Sequence, residues 1–245
     1  MIVSRQEKFV RLGLCFAVLA NICFWISVRD VQSQWLNVPA PPPAEYAAAA
    51  GLGDRSLAYR MNSITIQNFG DTGGRMTALK DYNFEKLADW FFIQDRLDPK
   101  SNHIPYLAAY YFSSSQEPQK IRPILLYLER AGSRIDGEKW RWLAQAVFLA
   151  RFKLNDLDLA LSMARKLAAL DKPDMPAWTK QMPAFVMNAK GEKEAAYALM
   201  LEILKSGSEK MHPEEVQEMQ RYMCTVILDE AQAKDNPICE QVKKL

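Results

Sequence analysis

Apolar residues recur at helical spacing along most of the chain, and the clearest instance lies between Asn83 and Pro99. There Leu87, Phe91 and the Ile93–Gln94 step fall on one face at i, i+4 and i+6/7, the periodicity of a helix packed on a partner. Asp98-Pro99 ends it, because the residue before a proline is driven out of the α region. The pattern continues on both sides. Asp54 is placed to cap a helix carrying Leu57, Met61 and Ile64 and ending near Gly70, after which Gly70 to Lys80 reads as a polar loop. Ser101 or Asn102 caps a helix with Pro105 in its first turn, followed by Tyr106, Tyr110, Tyr111 and Phe112. A helix from about Gln119 to Ala131 stops at Gly132. Glu138–Leu154 and Asp156–Leu170 form a pair parted at Asn155, and Pro176–Ala189 and Glu192–Lys205 another parted at Gly191. A last helix covers about Pro213 to Ala231. Period-two alternation is sustained nowhere, which predicts no sheet.

Ahead of this body, Leu12 to Val28 holds no charged residue and one amide, Asn21. Extended back through Phe9 and Val10, with Arg11 able to snorkel, the run reaches about 20 residues, enough to span a hydrocarbon core of roughly 30 Å. Arg5, Lys8 and Arg11 precede it while Arg29 and Asp30 cancel behind it, so the positive-inside rule puts the N-terminus in the cytoplasm. Trp25 and Trp35 suit the far interface. A cleaved signal peptide is the competing reading, although the only small-residue cleavage possibilities come late, from Ala40 to Ala50. Pro39, Pro41, Pro42 and Pro43 then favour an extended spacer. The plan is therefore a cytoplasmic N-terminus over 1–11, a membrane anchor over 12–28, a linker over 29–53, a helical domain over 54–231 and a tail over 232–245.

The helices repeat. Leu87, Phe91 and Gln94 correspond to Ile124, Leu128 and Ala131, then to Ala160, Ala164 and Leu167, then to Ala196, Met200 and Ile203, with starting positions 37, 36 and 36 residues apart. That period suits two antiparallel helices and two short turns, a unit that buries its faces only by stacking on neighbours. At these residues the chain resembles the tetratricopeptide repeat family. Ala144 to Asp171 has Asn155-Asp156 at the inter-helix turn, Ala160 at the small position and Asp171 at the end. Trp178, Phe185, Gly191, Ala196 and Tyr197 repeat the pattern with one extra residue before the turn. Leu87 and Ile124 depart from it, being bulky where the family has a small residue, and Pro183 lies inside a first helix, where its missing N–H should kink the chain. The resemblance spans roughly residues 83 to 205. It implies an all-α stack of antiparallel helical hairpins, a tetratricopeptide-like α-solenoid, which here follows the one transmembrane helix read from residues 12–28. By analogy with the family's groove, Tyr106, Trp142 and Gln145 are the expected partner-binding residues.

Candidate chemistry changes this picture little. With a formal charge of only +2 the chain has no electrostatic footprint for nucleic acid. Neither histidine, His103 or His212, has a second ligand at i+3 or i+4, and no metal or other cofactor is expected. Gly70-Asp71-Thr72-Gly73-Gly74-Arg75 lacks the lysine and hydroxyl ending of a phosphate loop; it reads as a flexible loop, with Arg75 a possible anion or partner contact. Carboxylates such as Glu214-Glu215 and Asp156/Asp158 fall in helix N-terminal turns, which attract negative charge. No nucleophile elbow exists, so an enzyme is not expected. Outside the membrane run, Cys224 and Cys239 are the only thiols. In an oxidising compartment a disulfide between them would staple the tail; two buried free thiols are the alternative.

These observations lead to the expectation of a single-pass inner-membrane protein whose periplasmic repeat domain binds a protein partner, as a scaffold or assembly subunit. The absence of any Asn-x-Ser/Thr acceptor favours a bacterial envelope over a secretory lumen. An envelope glycan-binding module or enzyme on the same scaffold is the second reading. It requires a deep pocket lined by aromatics and convergent carboxylates.

Overall fold

The computed structural model describes residues 5–29, 38–72, 75–134, 136–170, 172, 175–208 and 211–242. Its contacts divide the chain into two units, residues 1–36 and 37–245. Within the first, α1 (Arg5–Val28) is one helix. Its Phe9–Val28 stretch of 20 residues has a mean hydropathy of 2.0 and no buried side chain, so it is long and apolar enough to cross a membrane. Trp25 lies on it under the Arg29 guanidinium, whereas Trp35 falls outside the described residues.

The second unit is built almost wholly from helices. They are α2 (Arg55–Gln67), α3 (Phe84–Leu97), α4 (His103–Tyr106), α5 (Arg122–Gly132), α6 (Trp140–Phe148), α7 (Leu157–Ala168), α8 (Trp178–Ala189), α9 (Lys193–Gly207), α10 (Pro213–Tyr222), α11 (Glu230–Lys234) and α12 (Pro237–Val242). From α2 to α9 the packing runs in chain order. α2 lies on α3, α3 on α5, α5 on α6, α6 on α7, α7 on α8 and α8 on α9. The repeated positions supply the interior of this array. Leu87, Phe91, Gln94, Ile124, Leu128, Ala131, Ala160, Ala164, Leu167, Ala196 and Met200 are all buried, and only Ile203 is partly open. A main core extends from Val38 to Val186, and a smaller one gathers Ala184, Ala196, Met200, Leu204, Met219, Met223 and Ile227.

Local chemistry explains the helix starts. Asp54, Asn83 and Asp156 accept hydrogen bonds from the N–H groups of Leu57, Lys86 and Leu159 at 3.1, 2.9 and 2.9 Å. Gly132 sits where α5 and α6 touch: a Cβ there would lie 2.2 Å from the backbone nitrogen of Leu143. Its role is close approach as much as helix termination. Asn155 turns the chain between α6 and α7 at φ 55°. α8 continues unbroken through Pro183, the expected kink site.

Several expectations need correction. The Gly70–Lys80 loop contains a short antiparallel ladder, Asp71 opposite Met76 and Thr72 opposite Arg75, closed by a 2.8 Å bond from Thr77 N–H to Gly70 O. It is too short to show alternation. Gly73, Gly74 and the Arg75 side chain, the proposed anion contact, lie outside the described residues. The linker does not extend over 29–53. Residues 38–53 pack into the body: Val38 is fully buried, Trp90 donates its indole N–H to Pro39 O at 2.9 Å, and Gly51 abuts α2 so closely that a Cβ would meet Ala58 N at 2.5 Å. The apolar series of α2 faces outward, with Leu57, Met61 and Ile64 exposed and Ala58, Tyr59, Asn62, Ser63 and Ile66 buried. Of the polar groups inside, Gln94 donates to Tyr59 O and to Ser63 Oγ, both at 2.9 Å, whereas Asn62 Nδ2 and Gln94 Oε1 have no partner among the described residues.

The last helix ends earlier than expected. Leu228 turns extended (ψ 148°), and Asp229 with Gln232 forms a capping box that starts α11. Residues 232–242 are consequently not a loose tail. Cys239 is buried, and a disulfide joins it to Cys224 with the Cα atoms 5.6 Å apart.

Candidate functional site

Three of the helices do not end as α-helix. α4, α6 and α10 run into single π-helical turns, Leu107–Tyr111, Leu149–Lys153 and Met223–Ile227. An extra residue in a turn shifts the phase of all that follows, and such turns cluster at functional sites. Each of the three carries large apolar side chains to the surface: Tyr110 and Tyr111, Phe152, and Val226. Tyr106 and Phe148, one turn earlier on α4 and α6, are exposed with them.

These side chains form a strip of two groups, one running from α2 to Trp142 and one at the end of α6 and on its π turn. Starting on α2, Leu57, Met61 and Ile64 are 45, 46 and 60% exposed, and Gln67, one turn beyond Ile64, meets the His103 ring at 3.3 Å. Tyr106, one turn past His103, packs on Tyr110 with ring centroids 5.1 Å apart, and Tyr110 meets Trp142 edge-on at 6.4 Å. On α6 and its π turn, Phe148 and Phe152 pair at 4.8 Å, and the Arg151 guanidinium sits 4.6 Å over the Phe152 ring. The expected binding residues Tyr106 and Trp142 therefore come together, bridged by Tyr110. Gln145 lies half-buried on the same helix as Trp142 and is not part of this ring cluster.

A buried polar cluster fixes the helices that carry the strip. Arg134, in the loop before α6, clasps the buried Asp95 of α3 with both guanidinium nitrogens, Nη1 at 2.8 Å from Oδ1, and also reaches Pro99 O at 3.3 Å. Lys139, 3% exposed, donates to Ser101 O at 2.6 Å. On the outer side Trp142 donates its indole N–H to Asn102 Oδ1 at 2.8 Å. Burial pushes the Asp95 carboxyl upward against the pull of Arg134, Lys139 and Arg130, and pushes the Lys139 ammonium downward. Tyr127, fully buried nearby, has its phenol held high by burial and then by Asp95, and its hydroxyl has no hydrogen-bond partner among the described residues.

Hollows elsewhere offer less. One of about 530 Å³ is lined by Gln119, Leu154, Asn155, Asp156, Leu157, Asp158 and Lys190, with no aromatic side chain. Another of about 240 Å³ sets Trp178 and Gln181 beside Glu214, Glu215 and Glu218. There Glu215 accepts from Ala177 and His212 N–H groups and Glu218 pairs with Arg221, so two of the three carboxylates already serve helix ends and pairs. Among the described residues no group of three His, Cys, Asp or Glu is disposed to hold a metal ion.

Sequence reasoning missed Tyr110, Phe148, Phe152 and the α2 series as site residues. A signal for the phenylalanines was present: Trp140–Lys153 holds more large apolar side chains than one buried stripe can take. Compared with protein families, with curated proteins and with solved structures, the chain matches none.

Proposed function

We propose that this is a single-pass membrane protein whose helical body holds a protein partner against the helices that open its successive pairs, in a scaffolding or assembly role. In this reading α2/α3, α4/α5, α6/α7 and α8/α9 stack as tetratricopeptide-like hairpins, and α1 anchors them to a bacterial inner membrane with the body in the periplasm. The carrying observation is the exposed strip from Leu57 to Phe152. Isolated apolar side chains are ordinary on a protein surface, whereas Tyr106, Tyr110 and Trp142 in mutual contact at its middle have the composition of an interface centre. The basic residues ahead of the apolar run and the disulfide on the far side of it support the orientation.

A photo-crosslinking side chain placed in cells at Tyr106, and separately at the exposed Leu126 of α5, tests it. A discrete protein adduct is expected from Tyr106 and not from Leu126. No adduct from Tyr106 or from Phe152 rejects the docking face. A reporter fused after Leu245 should be active only outside the cytoplasm, and a cytoplasmic signal rejects the topology.

A further inference from the structure

We infer that the strip takes an acidic polypeptide segment bearing apolar side chains, an inference that rests on the docking reading above. The observation behind it is a segregation of charge. α2, α4, α6 and α8, with the π turns that extend α4 and α6, contain no Asp or Glu. Their charged side chains are Arg55, Arg60, Arg141, Arg151, Lys153 and Lys180. The helices that follow each of them carry the acids, including Glu85 and Asp89 on α3, Glu129 on α5, Asp158 on α7 and Glu194 on α9. A chain of net charge +2 has acids enough to populate both sets, so their one-sided placement is not a consequence of a basic composition.

The disposition of these cations narrows the partner. Arg141 is paired with Glu138 at 2.8 Å, and Arg55 is bonded to Arg96 O. Arg60, Arg151 and Lys153 have no carboxylate partner among the described residues. The Arg151 guanidinium carbon lies 4.6 Å from the Phe152 ring centroid, and a guanidinium held over a ring can still offer its N–H edge to a carboxylate. A second copy of the same face would oppose cation to cation and is disfavoured. Anionic lipid is recognised by denser basic clusters, about four to eight Lys or Arg together. Cations spaced among exposed rings instead suit a segment alternating apolar anchors with Glu or Asp.

The test uses the full chain in zwitterionic nanodiscs and three synthetic peptides with identical Leu and Phe positions, carrying Glu, Ser or Lys between them. Fluorescence anisotropy should rank Glu over Ser by about tenfold, the sum of a few exposed ion pairs, with Lys weakest. The preference should shrink at about 1 M salt, where the Debye length is ~3 Å. The double variant Arg60→Gln, Arg151→Gln should lose the preference while binding the Ser peptide as before. Equal binding of all three peptides, or a Glu preference untouched by the double variant, overturns the acidic partner and leaves the docking face standing. Stronger retention on phosphatidylglycerol vesicles than on the Glu peptide overturns it in favour of a bilayer. Failure of every peptide overturns it as well, and the Tyr106 crosslinks then decide whether the docking face survives.

Discussion

Replacing Arg134 by Met isolates the ion pair that joins α3 to the loop before α6. Methionine keeps the apolar stem and removes the charge. Asp95 is then buried without its bidentate partner; its side chain is 6% exposed and that of Arg134 27%. Removing one member of a buried pair costs about 3–5 kcal/mol, and access of water to the arginine side reduces this to about 2–3 kcal/mol at neutral pH. The cost has a pH signature. Burial already raises the carboxyl, and Arg134 is the largest influence lowering it. An acid whose folded pKa lies above its unfolded value of about 3.9 takes up a proton on folding, so the stability of the variant falls as pH rises from that value to the folded one. The loss relative to the parent should therefore be small near about pH 4, grow by up to ~1.4 kcal/mol per unit of displacement, and level off above the folded pKa. Urea unfolding followed by tryptophan fluorescence in mild detergent, at several pH values, measures it. Adding Asp95→Asn to the variant should flatten the pH dependence, because an amide does not titrate. A loss independent of pH, or one below about 1 kcal/mol at neutrality, would refute the assignment of Asp95 as a charge that Arg134 neutralises.

Three further outcomes follow from single contacts. Gly132→Ala forces α5 and α6 apart, since its Cβ would fall 2.2 Å from Leu143 N; overpacking of this kind costs about 1–3 kcal/mol, and an unchanged melting temperature would contradict the close approach. Reducing the disulfide, which closes a separation of 15 residues, should lower stability by about 3 kcal/mol on the chain-entropy account and raise hydrogen exchange in α10–α12 before α3–α7; uniform exchange would argue against a local staple. Asp156→Ala removes the cap of α7 and the 2.9 Å pair with Arg122 and should cost about 1 kcal/mol. The bonds from Leu159 N–H and Arg122 hold the Asp156 carboxyl below its ordinary value. Its stabilisation is thus present above the unfolded pKa and lost as pH falls through the folded one, so variant and parent should converge in acid. Divergence in acid would reverse the sign.

Helix content and the buried register were legible because they depend on residue class alone. Any apolar residue of suitable size serves at Leu87, Ile124, Ala160 or Ala196, and the spacing of about one repeat survives the exchange of leucine for alanine. The orientation of α2 was not legible. Its apolar series is regular, but the interior took the side with Ala58, Tyr59, Ser63 and Ile66, where Gln94 on α3 donates to Tyr59 O and Ser63 Oγ in a way no local pattern announces. Residues 38–53 misled for a related reason. Four prolines favour an extended chain anywhere, and only the indole of Trp90, 51 positions from Pro39, gives that chain something to bind. The break at Leu228 was readable, because Asp229 and Gln232 have the spacing of a capping box. The π turns carry no sequence mark at all, and with them the exposure of Tyr110 was hidden.

The segment Asp98–Asn102 ties these observations together. The side chain of Asp98 accepts from the N–H groups of Lys100 and Ser101, which makes the segment a defined turn. On its inner side Pro99 O and Ser101 O receive Arg134 and Lys139, both from the loop before α6; on its outer side Asn102 receives the Trp142 indole, from α6 itself. α4 begins one residue later, at His103. The start of α4 is thereby fastened to the start of α6 by two cations within and one N–H without, in addition to the apolar contact between the helices. Ring contacts such as Tyr110 with Trp142 are soft, with broad energy minima, and by themselves would leave the two helices free to slide. Hydrogen bonds to fixed carbonyls do not allow it. The register of the exposed strip is consequently set by a short turn and its cations. A partner would meet rings whose spacing was established on folding, which limits the ordering cost of binding.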